Sequence, residues 1–372
     1  MITVGDWFNF IFSESKEGKL GKALLSPLCL LSFFYGFLVR ARVFLYRAGF
    51  FRSASLPCKV ISVGNITLGG TGKTPFVILL AELFRSRQIP VAILSRGYKG
   101  SFSGPSGMVS DGRKTFLDAR QAGDEPSLLA RRLPGVPVFI GRERRLSGRA
   151  AVDRFQVQAV ILDDGFQHLP LERDLNFLLL EARLPFGNGW LFPRGVLREP
   201  PGQAGRADAI ILTKADQADN ILKLKDHLHR LAPGCPIFAV RYAPVAVRDF
   251  FQEQILPLEV LRGKKILGFA GIGSPASFRR SLENLGAEIV GFQSFRDHYP
   301  YRPEDFQMLL QDAREGGAEA VVTTEKDSIR LEGFPKGEPP LWVLSIRHEF
   351  VGKEQEPFEA FLWSKLGLGN KG

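Results

Sequence analysis

Hydrophobic and polar positions along this chain alternate between short apolar runs and longer stretches of helical periodicity. Near-continuous aliphatic runs lead out of Val60 and recur near 90–95, 136–140, 157–163, 175–181 and 208–213. They have the length and composition of strands buried on both faces. Between them, segments near 75–87, 125–133, 142–155 and 217–231 space their apolar residues as helices do. This alternation predicts a mainly parallel sheet covered by helices on both faces. After Phe238 the rhythm breaks, and AVRYAPVAVRDFFQEQILPLEVLRGKK shows little helical periodicity. An extended linker is expected there, with a boundary near 245–262. A second alternation follows, with strands near 265–270, 288–293, 319–323 and 341–346 and helices near 275–286 and 303–315. It predicts a smaller Rossmann-like unit. Glu354 to Leu366 reads as an amphipathic helix that either unit could accept. The chain shows neither an internal repeat nor a low-complexity tract.

Ahead of the first strand, Ala23 to Val39 (ALLSPLCLLSFFYGFLV) carries no charge. That length is at the short limit for crossing about 30 Å of hydrocarbon. Lys16, Lys19 and Lys22 precede it and Arg40, Arg42, Arg47 and Arg52 follow it, so the charge bias sets no orientation. Basic flanks on both sides favour a helix lying on the membrane, with Phe33, Phe34, Tyr35 and Phe37 in the interface. A buried core helix is the other reading. Acidic residues before the run and no small-residue cleavage site after it argue against a signal peptide.

The strongest local signal is VISVGNITLGGTGKTP, residues 60–75, where a strand pattern empties into a glycine-rich turn ending in Gly72-Lys73-Thr74. Gly69, Gly70 and Gly72 can take backbone angles closed to other residues, so the amides around Thr71 can face a polyphosphate at the start of the next helix. Lys73 would reach the terminal phosphates and the Thr74 hydroxyl would ligate Mg²⁺. The strict G-x-x-x-x-G-K-[ST] pattern wants glycine where this chain has Thr67, so the loop is a variant.

Other candidates gain meaning from that loop. AVILDD, residues 159–164, delivers Asp163 and Asp164 to the carboxyl end of a strand, where such sheets place ligands; either aspartate could hold Mg²⁺, and a turn former is the competing reading. Gly123-Asp124-Glu125-Pro126 has the form of a helix start, and Asp124 could also accept a proton from an attacking hydroxyl. Arg142, Arg144 and Arg145, with Arg194 and Arg198 further on, fit phosphate recognition or a solvated basic face equally well. His168 follows the aspartate pair closely, whereas His298 lies in a turn-like FRDHYPY segment of the second unit. Ile211-Leu-Thr-Lys-Ala-Asp216 and Thr324-Glu-Lys-Asp327 echo the base-reading NKxD element of GTPases, but Thr213 stands where asparagine should read guanine.

Composition narrows the class. A chain of 372 residues with 45% hydrophobic content can bury a sizeable core and divide into two domains. A net charge of +10 implies an acidic partner: nucleic acid, an anionic membrane or a phosphorylated substrate. Cys29, Cys58 and Cys235 suggest neither a disulfide framework nor a CxxC metal site, which fits a reducing compartment. Taken alone, the loop suits a nucleotide-driven switch as well as a kinase.

Taken together, GNITLGGTGKTP (64–75), SRGYKG (95–100), GDEP (123–126), GRERR (141–145), LDDGFQH (162–168), FPRGVLREP (192–200), FRDHYP (295–300) and TEKD (324–327) resemble the tetraacyldisaccharide 4'-kinase family. The resemblance covers most of the chain, and Thr67 is similar to the family's own loop. It implies transfer of the ATP γ-phosphate to the 4'-hydroxyl of a tetraacylated glucosamine disaccharide 1-phosphate, giving lipid IVA, with ATP and Mg²⁺. It further implies Asp124 as base in a dyad with His298, and Arg96, Tyr98, His168, Arg144, Arg145 and Arg198 around the substrate. The implied fold is two α/β/α domains, a P-loop unit and a smaller one, joined by a β-ribbon. The expected division is 1–52 as a membrane-associated helical segment, 53–250 as the P-loop kinase unit, and 251–372 as the smaller unit with the C-terminal helix. The implied partners are the lipid A disaccharide precursor and the anionic cytoplasmic face of the inner membrane, with no nucleic acid and no obligate protein partner.

Overall fold

A computed structural model of the chain describes residues 19–368, with side chains from residue 26 onward. In chain order the elements are α1 (Lys19–Arg47), β1 (Lys59–Gly64), α2 (Lys73–Ser86), β2 (Val91–Ser95), β3 (Gly107–Ser110), α3 (Ala119–Ala122), α4 (Asp124–Arg132), β4 (Val138–Ile140), α5 (Arg144–Phe155), β5 (Ala159–Asp163), β6 (Leu175–Glu181), β7 (Ala209–Thr213), α6 (Ile221–Leu231) and β8 (Ile237–Asp249). There follow β9 (Ile255–Leu256), β10 (Lys265–Ala270), α7 (Pro275–Asn284), β11 (Glu288–Ser294), α8 (Pro303–Glu315), β12 (Ala320–Thr324), α9 (Glu325–Ile329), β13 (Leu341–Phe350) and α10 (Gln355–Leu366). Apart from β8, β9 and α9, the longer elements fall near where periodicity places them. The edge strand β3 and the one-turn helix α3 carry no such signal in so few residues.

The strands form a sheet ordered β11-β10-β12-β13-β8-β7-β6-β1-β5-β2-β4-β3. Its pairs are parallel except β13–β8, β3–β4 and the short β8–β9 pair. Buried strands send alternate residues to opposite faces, and β6 shows the consequence. Leu175, Phe177 and Leu179 join a core with α2, while Leu178 and Leu180 join the core under α6.

The segment expected from its pattern as an extended linker is a long strand, part of the β-ribbon that the resemblance implies. β8 pairs with β7 at Ile237–Ala239 and then runs antiparallel to β13 from Val240 opposite Phe350 to Asp249 opposite Trp342. β13 also pairs with β12 over Leu341–Leu344. The two strands are therefore a ribbon carrying one half of the sheet into the other. Arg241, Pro244 and Arg248 break the apolar pattern because the ribbon's faces are only partly covered.

The C-terminal helix does not stay with the second unit. Phe358, Leu362, Trp363 and Leu366 enter the core of Phe76, Phe84, Phe177 and Phe238 in the first half. Trp363 packs edge-on against Phe84 at 5.0 Å, and Phe358 against Phe238 at 5.2 Å. Glu354 anchors the helix start by accepting from the Ala239 amide and Lys225 Nζ. Burying Phe358 is worth about 3–5 kcal/mol by the cost of truncating such residues.

Helix α1 is longer than the apolar run predicted, and Ser26–Arg47 is long and apolar enough to cross a membrane. One edge lies on the body: Ser32 Oγ donates to the Leu191 carbonyl at 2.8 Å, Tyr35 Oη to the Arg198 carbonyl at 3.0 Å, and Arg42 to the Gln167 carbonyl at 3.2 Å. Tyr35, expected in the interface, thus faces inward because its hydroxyl finds a backbone partner there. Leu30, Leu31, Phe33, Phe34, Phe37, Leu38 and Phe44 point outward, and Phe50, Phe51, Trp190 and Phe192 are exposed as well. Lys16 lies outside the described residues, as do the side chains of Lys19 and Lys22.

Candidate active site

The turn between β1 and α2 has the conformation its glycines foreshadow. Gly69 and Gly72 have φ of +106° and +80°, in the left-handed region that favours glycine. A β-carbon at Gly72 would lie 2.8 Å from Tyr242 Oη and 3.1 Å from His348 Nε2, so ribbon side chains occupy that space. Thr213 Oγ1, buried at the end of β7, donates to the Thr71 carbonyl at 3.1 Å. The residue that breaks the GTPase pattern supports the phosphate loop from below.

Lys73 Nζ is 3.4 Å from both Asn65 Oδ1 and Asp164 Oδ1. Asp164, at φ +54° just past β5, also accepts from Arg198 Nη1 at 2.9 and 3.1 Å. Burial raises its carboxyl, but Lys73 and Arg198 outweigh that and hold it below the usual range. Arg198, expected at the substrate, is therefore engaged by Asp164.

Asp163 behaves differently. It is buried at the strand end, accepts from Ser95 Oγ at 3.1 Å, and leaves Oδ1 buried without a partner. Burial, reinforced by the charges of Glu125 and Asp164, pushes it up to about 7. An unpartnered buried carboxylate oxygen beside a phosphate loop is what a divalent cation would satisfy, and Thr74 opens α2 in the same loop. Mg²⁺ fits this donor pair. Among the described residues no group of three or more His, Cys, Asp or Glu could cage a metal, so Asp163 and Thr74 are the side chains that would hold it.

Asp124 and His298 come from opposite halves and meet. His298 Nδ1 is 2.8 Å from Asp124 Oδ2, and Arg330 Nε is 3.4 Å from the same oxygen. Burial raises the Asp124 carboxyl, but the His298 hydrogen bond and the charges of Arg330 and Lys326 bring it net below its ordinary value. Gly123, at φ +91°, turns the chain so that Asp124 opens α4. His298 is held at φ +60° by its amide donating to the Gly271 carbonyl at 3.1 Å.

The remaining substrate candidates separate by burial. Arg144 is buried at the start of α5, while Arg96, Tyr98 and Arg145 are exposed. A cavity of about 410 Å³ is lined by Arg52, Arg142, Arg144, Arg145 and His168. Burial and then the Arg144 charge hold His168 down at about 4, so it is neutral. The Tyr98 ring lies 6.3 Å from that of His298, edge to face. A second cavity, about 660 Å³, lies between the halves and includes Asp216, Tyr242, Ser277 and Arg280 in its lining. Sequence reasoning missed Arg330 and gave no role to Ser95, Glu125 or Lys326, which it met only inside motifs. Their contacts to the site span the fold, and no local pattern marks them.

Arg132 Nη1 reaches both Glu325 oxygens at 2.7 and 2.8 Å, and Arg131 pairs with Glu332 at 3.1 Å, so ion pairs join the two halves at the end of α4 away from Asp124.

Comparison with known proteins identifies the family. The family model described as tetraacyldisaccharide-1-P 4'-kinase matches residues 22–367. Tetraacyldisaccharide 4'-kinases of Desulfatibacillum aliphaticivorans and Syntrophus aciditrophicus are 41% and 44% identical, over 91% and 90% of this chain and 92% of each relative. The crystal structure of LpxK from Aquifex aeolicus in complex with ATP is 33% identical, with a TM-score of 0.75 over 93% of this chain and 99% of that one. With a family model matching nearly the whole chain and relatives above 40% identity over most of it, the chain belongs to the tetraacyldisaccharide 4'-kinase family.

Proposed function

We propose how this chain's residues divide the work of the kinase reaction, in which the γ-phosphate of ATP passes to the 4'-hydroxyl of tetraacyldisaccharide 1-phosphate to give lipid IVA. The observation that carries the reading is the 2.8 Å contact between Asp124 and His298 across the two halves. An ionised carboxylate there can orient the 4'-hydroxyl and accept its proton, while the imidazole fixes the carboxylate's direction. The amides of Gly69, Gly70, Thr71 and Gly72, below Thr67, hold the phosphates, and Lys73 leaves Asp164 to meet them. Asp163 and Thr74 would hold Mg²⁺, which supplies charge neutralisation at the β- and γ-phosphates when bound. Asp164 keeps Lys73 and Arg198 in place. The nucleoside end extends into the 660 Å³ cavity, which Tyr242 connects to Gly72. His168, Arg144 and Arg145 line the smaller cavity for the sugar phosphate, Arg96 lies near enough for its charge to act on His168, and Tyr98 stands beside His298.

The same reading divides the chain into units 53–250 and 251–372 about the β8–β13 ribbon, with α10 belonging to the first by packing. The outward apolar face of α1 supports peripheral attachment to the anionic cytoplasmic face of the inner membrane. Arg40 and Arg47 then lie near head groups.

The test is phosphate transfer from γ-labelled ATP with Mg²⁺, in detergent micelles, to tetraacyldisaccharide 1-phosphate. The parent should label lipid, and Asp124→Asn should bind ATP without labelling it. Transfer by Asp124→Asn at the parental rate would overturn the assignment of the base.

A further inference from the structure

The TEKD segment, residues 324–327, joins β12 to α9, and each of its four side chains has its own partners. Thr324 Oγ1 caps α9 by accepting from the Asp327 amide at 3.1 Å. Glu325 takes Arg132 from the other half, and Ser345 Oγ donates to it at 3.0 Å. Asp327, fully buried, accepts from the Gly271 amide and Tyr301 Oη, each at 2.9 Å, and from Arg330 at 2.7 Å. Gly271 is the residue whose carbonyl holds the His298 amide. Lys326 Nζ reaches the His298 ring itself, 3.1 Å from Nε2.

This last contact constrains the chemistry of the histidine. A lysine ammonium offers donors and no acceptor, so Nε2 must present its lone pair to it. The ring proton then sits on Nδ1, where it donates to Asp124 Oδ2. A proton on Nε2 would face the ammonium and leave Nδ1 bare against a carboxylate. We propose that the TEKD segment is the platform for the Asp124–His298 pair, with Lys326 the positioning residue that fixes the His298 tautomer. The inference rests on the reading of Asp124 as base and adds a part to it. Lys326 stays close to Asp297 at 3.4 Å and Glu125 at 3.7 Å, which balance its charge without satisfying Nε2.

The experiment combines kinetics with ¹⁵N NMR of histidine-labelled full-length protein, the His298 signals assigned by their loss in His298→Gln. The parent should show the Nδ1–H tautomer at His298. Lys326→Met should populate Nε2–H, lower kcat about 10- to 100-fold, less than the about 100- to 10,000-fold of a whole acid–base contribution because Asp124 remains, and leave KM for ATP within about twofold. Lys326→Arg, which keeps a donor, should recover most of the tautomer and part of kcat. A parental Nε2–H tautomer, or an unchanged kcat in Lys326→Met, would overturn the inference. Asp124→Asn measured alongside separates the two readings: if it is inactive while Lys326→Met is silent, only the lysine's role fails.

Discussion

Tyr242 and His348 face each other across the ribbon with rings stacked 5.0 Å apart and tilted by 18°, and their tips fill the space beside Gly72 of the phosphate loop. Gly72 is thus constrained by its φ of +80° and by its neighbours. Gly72→Ala should lose about 10- to 100-fold in ATP affinity, equivalent to ~1.4–2.8 kcal/mol, with the fold retained. Calorimetric titration of ATP, alongside a circular dichroism spectrum, checks this; parental affinity would show that the loop yields freely.

His348 also carries a pH signature. It is buried with neither ring nitrogen partnered, and burial holds it down at about 3, against an ordinary value of 6.5. A histidine depressed in the folded state is protonated first in the unfolded state, so its penalty is absent above about 6.5 and grows as pH falls toward 3. His348→Phe, which keeps the stacked ring, should relieve about 2 kcal/mol of acid destabilisation at pH 5. Thermal unfolding of both proteins from pH 8 to pH 4.5 should show the gap widening only below about pH 6.5; parallel curves would contradict it.

Asp163 should trade stability for activity. Its carboxyl, raised to about 7 from the ordinary 3.8, favours the unliganded fold below that ordinary value and withdraws the benefit as pH rises through 7. Asp163→Asn should stabilise the nucleotide-free protein by about 1–3 kcal/mol at pH 8. Transfer should fall about 100-fold or more, because the charge that would hold Mg²⁺ is gone. A melting temperature unchanged or lowered at pH 8 would refute the first half.

The outward face of α1 predicts membrane behaviour. Replacing Phe33, Phe34 and Phe37 together by serine removes up to about 1.5–3 kcal/mol of apolar transfer per ring. Retention on phosphatidylglycerol vesicles in co-sedimentation should drop about 100-fold or more, with ATP binding intact. Tyr35→Phe, which faces the body, should barely change sedimentation.

Much of this was legible in the sequence because the relevant signals are local. Strands such as β5 and β7, buried on both faces, read as continuous apolar runs, and the glycines of the phosphate loop announce their own backbone angles. At β8 the pattern alone gives only an extended segment, because a ribbon with partly covered faces imposes no uniform period, and it is the resemblance that implies the ribbon. The separate duties of Asp163 and Asp164 follow from one residue being under the sheet's end and the next turning out at φ +54° to meet Lys73. Residue spacing carries no such information. Likewise, the pairing of Asp124 with His298 spans 174 residues, and only the resemblance put the two together before the fold did.

The route of the chain through β8 and back through β13 makes the second half an insertion within the first. During synthesis, Phe76, Phe84, Phe177 and Phe238 emerge from the ribosome long before α10, the helix that covers them. The amino-terminal half therefore cannot finish its core while it is being made, and waits with aromatic surface uncovered until the inserted half is complete. A nascent chain arrested at residue 350 should remain protease-sensitive across α2, although every residue of the phosphate loop has already been translated.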